Sequence, residues 1–171
     1  MTSGFAVRLE QPGDAAAIRR VHEAAFGQPA EADLVDALRV AGDLVPELCL
    51  VAERGGEPIG HIAFSRAGLN SGDTVLALAP VGVLPEHQGG GAGSALNRAA
   101  LERAAATEYP LVVVLGHAGY YPRFGFEPAA PLGVPAPFDV PDENWMALKL
   151  PAYRPQARGT LRYAAAFDAV S

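Results

Sequence analysis

The sequence predicts an α/β fold, a central mixed β-sheet flanked by helices, in a single domain spanning residues 1–171. Three observations carry this expectation. A chain of 171 residues has the usual size of one domain. Half of the residues are hydrophobic and 19% are charged, which is enough apolar surface for a core and too little charge for global disorder. The third observation is the order of the apolar segments. The long run from Thr74 to Leu84 is followed by an Ala-rich stretch and then by the continuous run Leu111 to Leu115. A strand, a helix and a second strand buried on both faces read as a right-handed parallel crossover.

The remaining elements come from local signals. Phe5 to Glu10 reads as a short strand. Pro12-Gly13-Asp14 opens a helix with Asp14 as N-cap and Ile18, Val21 and Ala25 as its buried stripe. A second amphipathic helix covers Ala30 to Val40, with Leu34, Val35 and Leu38 at helical spacing and Gly42 as its stop. Leu48 to Arg54 and Pro58 to Arg66 form a hairpin across Gly55-Gly56, and the turn Asn70-Ser71-Gly72-Asp73 leads into the central strand. Gly91 to Thr107 is the Ala-rich helix. Five prolines between Pro128 and Pro141 exclude regular structure there and imply an ordered loop. Strands near Asn144 to Leu150 and Gly159 to Phe167 finish the sheet.

Composition removes several function classes. The net charge is -6, and the basic residues, all arginine except Lys149, form no run, so a phosphate-backbone footprint is not expected and nucleic acid is not a partner. The single cysteine, Cys49, lies in Leu48-Cys49-Leu50-Val51 and reads as a small buried hydrophobe. No apolar stretch approaches the ~20 residues of a membrane span. Met1-Thr2-Ser3-Gly4 runs into Arg8 and Glu10 without the apolar core of a leader, so the expectation is a cytoplasmic protein with no membrane partner. Metal is not expected, because the four histidines are scattered and His22-Glu23 lacks the second histidine of a zinc helix.

The informative stretch lies between the central strand and the Ala-rich helix: Val81-Gly82-Val83-Leu84-Pro85-Glu86-His87-Gln88-Gly89-Gly90-Gly91-Ala92-Gly93-Ser94. Glycines let several backbone N–H groups converge, and a helix N-terminus adds partial positive charge, so a pyrophosphate can bind there without lysine. Neither a Walker loop nor a dinucleotide fingerprint can be spelled from these residues. Gln88-x-x-Gly91-x-Gly93 after Val83-Leu84-Pro85 resembles the acetyl-CoA motif of the GNAT superfamily of N-acetyltransferases. Tyr120-Tyr121-Pro122-Arg123-Phe124-Gly125-Phe126 resembles the segment that comes next in that superfamily.

The resemblance implies a sheet whose two central parallel strands splay, with acetyl-CoA as cosubstrate in the wedge. It implies that backbone groups of Val81, Gly82 and Val83 face the pantetheine arm. Gln88, Gly89, Gly90, Gly91, Ala92, Gly93 and Ser94 would hold the pyrophosphate, Gln88 standing where an arginine is often found. An N–H near Val83 would stabilise the oxyanion, and Tyr121 would be the general acid for the departing thiolate. Tyr120 has no role in the motif, and Phe124 and Phe126 read as core.

No general base declares itself. His22 belongs to the first helix, His61 lies on a strand, His87 borders the glycine loop and His117 ends a buried strand, and each reads as structural or solvated. The sequence leaves two function classes open: an acetyltransferase acting on a primary amine, or a CoA-binding sensor on the same fold. The acceptor, a small molecule or a peptide, is not legible, and a homodimer stays open.

Overall fold

The computed structural model describes residues 4–170; Met1, Thr2 and Ser3 of the expected leaderless N-terminus, and Ser171, lie outside the described residues. The chain packs into two units. The first takes the residues up to Phe64, Ala79–Arg103 and the chain from Ala165 on; the second takes Ser65–Leu78 and Ala104–Ala164. Strands β3 (Glu57–Leu69) and β4 (Thr74–Val83) contribute residues to both.

In the first unit, β1 (Ala6–Leu9) pairs antiparallel with β2 (Leu50–Arg54), which pairs antiparallel with β3. The expected turn at Gly55-Gly56 is there, and both glycines have positive φ, the left-handed region that only glycine enters without strain. The strand register groups three side chains. Val51 lies opposite Arg8 on one side and His61 on the other, so all three share one face of the sheet. Helices α1 (Ala15–Phe26) and α2 (Ala30–Ala41) pack against each other. Ile18, Val21, Leu34, Val35 and Leu38 are buried as expected, whereas Ala25 is only half-buried and His22 takes part in the buried stripe instead.

Asp14 precedes α1 but makes no side-chain cap. Its carboxylate accepts instead from the Gln11 N–H at 2.7 Å and from both terminal nitrogens of Arg8 at 2.7 and 3.0 Å. The guanidinium outcompetes the helix for the carboxylate because a two-pronged, charge-assisted contact is the stronger one. Helix α3 (Ala92–Ala104) is shorter than expected at both ends. Gly91 has φ +92 and so cannot be its first helical residue, and Thr107 closes its last turn with Oγ1 on the Ala104 carbonyl at 2.7 Å.

In the second unit β4 pairs in parallel with β5 (Leu111–Leu115) through Leu76↔Val112 and Ala77↔Val113, which bears out the parallel expectation. β5 pairs antiparallel with β7 (Trp145–Lys149), β7 with β6 (Glu127–Pro128), and β8 (Leu161–Arg162) with β3. The result is a mixed sheet. Its buried cluster includes Leu69, Val75, Leu111, Val113, Val134, Trp145 and Leu161. The Pro-rich segment is ordered, but the expectation that its prolines exclude regular structure is corrected: Pro128 ends β6, and Ala130–Leu132 forms a 3-10 turn that tolerates a proline in its first positions. Trp145 Nε1 donates to the Val134 carbonyl at 2.9 Å, and Phe138 packs on Trp145 and Tyr163.

The last expected strand, Gly159 to Phe167, is corrected. Only Leu161 and Arg162 are extended, and the chain turns into a 3-10 helix, Ala165–Val170, that packs against α2 in the first unit. Ala164-Ala165-Ala166 explains the change, since alanine has little affinity for a pleated strand and the highest for a helix.

Candidate active site

Strand alternation decides which backbone groups of β4 are available. Leu84 N–H donates to the Ile59 carbonyl at 2.8 Å, so the neighbouring Val83, and Val81 two residues before it, turn their N–H and C=O groups away from β3. Val81 and Val83 are half-buried and Gly82 between them is buried. Pro80, which has no N–H, lies just upstream. A short 3-10 turn, Pro85–His87, then delivers the chain to the glycines.

Gly89 and Gly91 adopt φ +83 and +92, and a Cβ on either would meet nothing within 4 Å. Their left-handed backbone therefore demands glycine, and the space in front of them is open to an anion. The N–H groups of a helix's first turn have no acceptor within the helix, and α3 begins at Ala92 directly after this turn. The turn fits a pyrophosphate. Gln88 behaves differently from a free donor: its Nε2 donates to the Val83 carbonyl at 2.9 Å, which ties the glycine turn to the end of β4.

Tyr121 belongs to the second unit, at the start of a 3-10 turn, Tyr121–Phe124. Its ring lies against Gly116 so closely that a Cβ there would come within 2.3 Å of Cε2. Tyr120 and Phe126 hold it edge-on at 5.1 and 5.5 Å between ring centres. Burial pushes the phenol pKa up to about 12, with Tyr120 adding in the same direction, so the hydroxyl keeps its proton at every ordinary pH. Tyr120 is covered by the Arg123 guanidinium, 4.5 Å from its ring centre. Phe126 is core and Phe124 is half-buried.

The first unit holds a polar cluster that sequence reasoning missed. His61 faces inward from β3, and Glu10, just past β1, lies two residues beyond Arg8 and therefore on the same face. His61 Nε2 is 2.7 Å from Glu10 Oε1, His61 Nδ1 is 2.9 Å from His22 Nε2 on α1, and Arg39 from α2 pairs with the second oxygen of Glu10. Both imidazoles are fully buried. Burial holds both below the ordinary histidine range, so they are neutral. Although burial opposes it, bonds from His61 and Arg39 hold the Glu10 carboxyl below the ordinary range, so it is ionised.

Neutral rings and an ionised carboxylate permit one proton arrangement. His61 Nε2–H donates to Glu10, so His61 Nδ1 must accept from His22 Nε2–H, and His22 Nδ1 is left with a lone pair. That atom is buried and has no hydrogen-bond partner. It lies over β4: a Cβ on Gly82 would come within 2.8 Å of it. The signal in the sequence was the residue type alone, since one histidine sits on a helix and the other on a strand 39 residues later.

His117 is exposed and His87 is half-buried beside a cleft of about 400 Å³ that Arg20, Arg54 and Glu57 also line. Cys49 is buried, its thiol pushed up to about 12 by burial, as suits a small core residue. Among the described residues no three His, Cys, Asp or Glu are placed to hold a metal ion, and no helix is long and apolar enough to cross a membrane.

Known proteins align with this geometry. A family model described as an acetyltransferase (GNAT) domain matches residues 46–128. The uncharacterized N-acetyltransferase YjhQ of Escherichia coli (strain K12) is 41% identical over 167 residues, covering 94% of this chain and 92% of its own. The crystal structure of the GNAT family N-acetyltransferase YhbS from Escherichia coli, in complex with CoA, superposes with TM-score 0.89 at 29% identity over 98% of this chain and 94% of that one. A GNAT family acetyltransferase from Brucella melitensis, in complex with acetyl-CoA, gives TM-score 0.81 at 36% identity over 98% and 100%. With β4, its glycine turn and α3 inside the matched domain and a relative of this identity along nearly the whole chain, the protein belongs to the GNAT acetyltransferase family.

Proposed function

We propose that this chain moves an acetyl group from acetyl-CoA to a primary amine by direct attack of the amine on the thioester. The observation that carries the reading is a strand whose backbone at Val81 and Val83 turns away from β3 and which leads into the left-handed glycines at the head of α3. The Brucella melitensis relative, crystallised with acetyl-CoA, supports the choice of donor. In this reading Gly89 to Ser94 bind the pyrophosphate mainly through main-chain N–H groups, and Gln88 steadies the turn. The Val83 N–H stabilises the oxyanion formed when the amine nitrogen bonds to the carbonyl carbon. As the C–S bond breaks, the sulfur leaves with the electron pair and takes a proton from Tyr121, whose burial keeps the phenol protonated.

Release of CoA thiol, followed over a panel of amines with acetyl-CoA saturating, tests the reaction. The expected result is turnover with at least one amine class. Tyr121→Phe is expected to keep CoA affinity and to lower kcat by about 10²-fold. Because the phenol titrates only near pH 12, it is expected to impose no alkaline limb on the wild-type profile below that range. Binding of CoA without turnover of any amine would support a CoA-sensing protein instead.

A further inference from the structure

We infer that Glu10, His61 and His22 form a buried proton relay that serves the acyl transfer, with His22 Nδ1, over Gly82 of β4, as its receiving atom. This rests on the acetyltransferase reading above, which leaves the amine proton without an acceptor.

The geometry is directional. Of the two imidazoles, His61 has both ring nitrogens engaged, and His22 Nδ1 is the ring nitrogen left without a hydrogen-bond partner. It lies against Gly82, between the two residues whose backbone faces the thioester in the proposed reaction. A side chain at position 82 would occupy the place of closest approach, 2.8 Å from Nδ1, so glycine there keeps the ring against the strand. The far end is anchored by charge, with Arg39 held on the second oxygen of Glu10.

The proton count closes. When the amine nitrogen bonds to the thioester carbon, its proton passes to His22 Nδ1, directly or through one water. His22 gives its Nε2 proton to His61 Nδ1, and His61 gives its Nε2 proton to Glu10, which becomes the neutral acid. Both rings end as the opposite neutral tautomers, and the thiolate takes its proton separately. No charged imidazole has to persist in the core, where burial disfavours it. The charged groups that act on the rings are Glu10 beyond β1, Asp14 at the head of α1 and Arg39 from α2; from β4, Gly82 lies against His22 and carries no charge. Arg39, Glu10 and His61 are positioning residues, since they act through His22.

Three measurements test the relay. Nitrogen NMR of the imidazoles in the wild-type protein is expected to show His22 and His61 both protonated at Nε2 and bare at Nδ1; a proton on His22 Nδ1 at neutral pH would overturn the inference. His22→Ala is expected to lower kcat with amine by about 10²-fold and leave CoA affinity within about twofold. Added imidazoles are expected to restore part of the rate in proportion to their basicity, a response that a packing role does not produce. Glu10→Gln keeps a hydrogen-bond acceptor for His61 and removes the charge; it is expected to lower kcat by about tenfold and leave CoA affinity unchanged. Wild-type kcat in both variants would overturn the relay. Failure of the wild-type protein to turn over any amine would count against the acetyltransferase reading instead, and the tautomers would still decide whether the relay exists.

Discussion

The glycine turn at the head of α3 and the His22–His61–Glu10 chain both belong to the first unit, and they are built on opposite principles. The turn is local: consecutive residues, exposed, with two left-handed glycines and little side chain beyond Gln88. The histidine chain is assembled from α1, α2, β3 and the end of β1, and its imidazoles touch no solvent. A turn of this kind gets its chemistry from backbone that any glycine-rich strand-to-helix junction provides. The buried cluster gets its chemistry from the fold, and each member is costly unless the others are in place.

The largest expected effect breaks the cluster. Glu10→Ala leaves the Arg39 pair and the His61 Nε2–H without their acceptor, and is expected to cost about 3 kcal/mol of stability by urea unfolding. Gly90→Ala is the matched change in the turn. Gly90 has no positive φ, and a Cβ would come no closer than 3.5 Å, to the His87 carbonyl, so stability is expected to move by less than about 0.5 kcal/mol. Equal losses in the two variants would erase the contrast.

The next effect belongs to the turn. Gly91→Val puts a β-branched residue at φ +92 and bulk where a phosphate must approach backbone. CoA affinity measured by titration calorimetry is expected to fall about 100-fold, with about 1–2 kcal/mol of stability lost to backbone strain. His22→Ala, by contrast, is expected to leave CoA affinity unchanged. Undiminished CoA binding by the Gly91 variant would move the pyrophosphate site away from this turn.

The same contrast separates what is legible in the sequence from what is not. The hairpin at Gly55-Gly56, the strand Leu111 to Leu115 and the glycine turn all announce themselves within a few residues, because turn chemistry and apolar periodicity are local. The last strand failed for a related reason. Leu161-Arg162 has strand character, but the alanines after Tyr163 obey helix propensity and the packing face of α2. The histidine relay depends on register. Nothing near His22 in sequence says that β3 will present an imidazole to it 2.9 Å away, and an isolated buried histidine is most often just packed. Asp14 was legible as an acid at a helix start, and illegible as the partner of an arginine on a neighbouring strand.

The smallest expected effect is the dependence of stability on pH, and it belongs to the buried cluster. Burial lowers the pKa of His22 and His61 in the folded protein, whereas in the unfolded chain both return to about 6.5. Between those limits the unfolded state binds more protons than the folded one, so stability rises with pH. The full contribution is present above about pH 6.5 and is lost as pH falls towards the folded values. For His22 alone the loss from about pH 7 to about pH 5.5 is expected to be on the order of 1 kcal/mol, and His61 adds to it in the same direction. Glu10, also lowered, adds a further loss only below the ordinary carboxylate range. Urea midpoints taken across this window are expected to fall in the wild-type protein and to fall less steeply in His22→Phe, which removes one of the titrating groups. Gly90→Ala is expected to track the wild-type slope. A wild-type midpoint that stays level down to about pH 5.5 would mean that the folded protein takes up protons on the two rings as readily as the unfolded chain does, and the neutral, directional chain would not be its resting state.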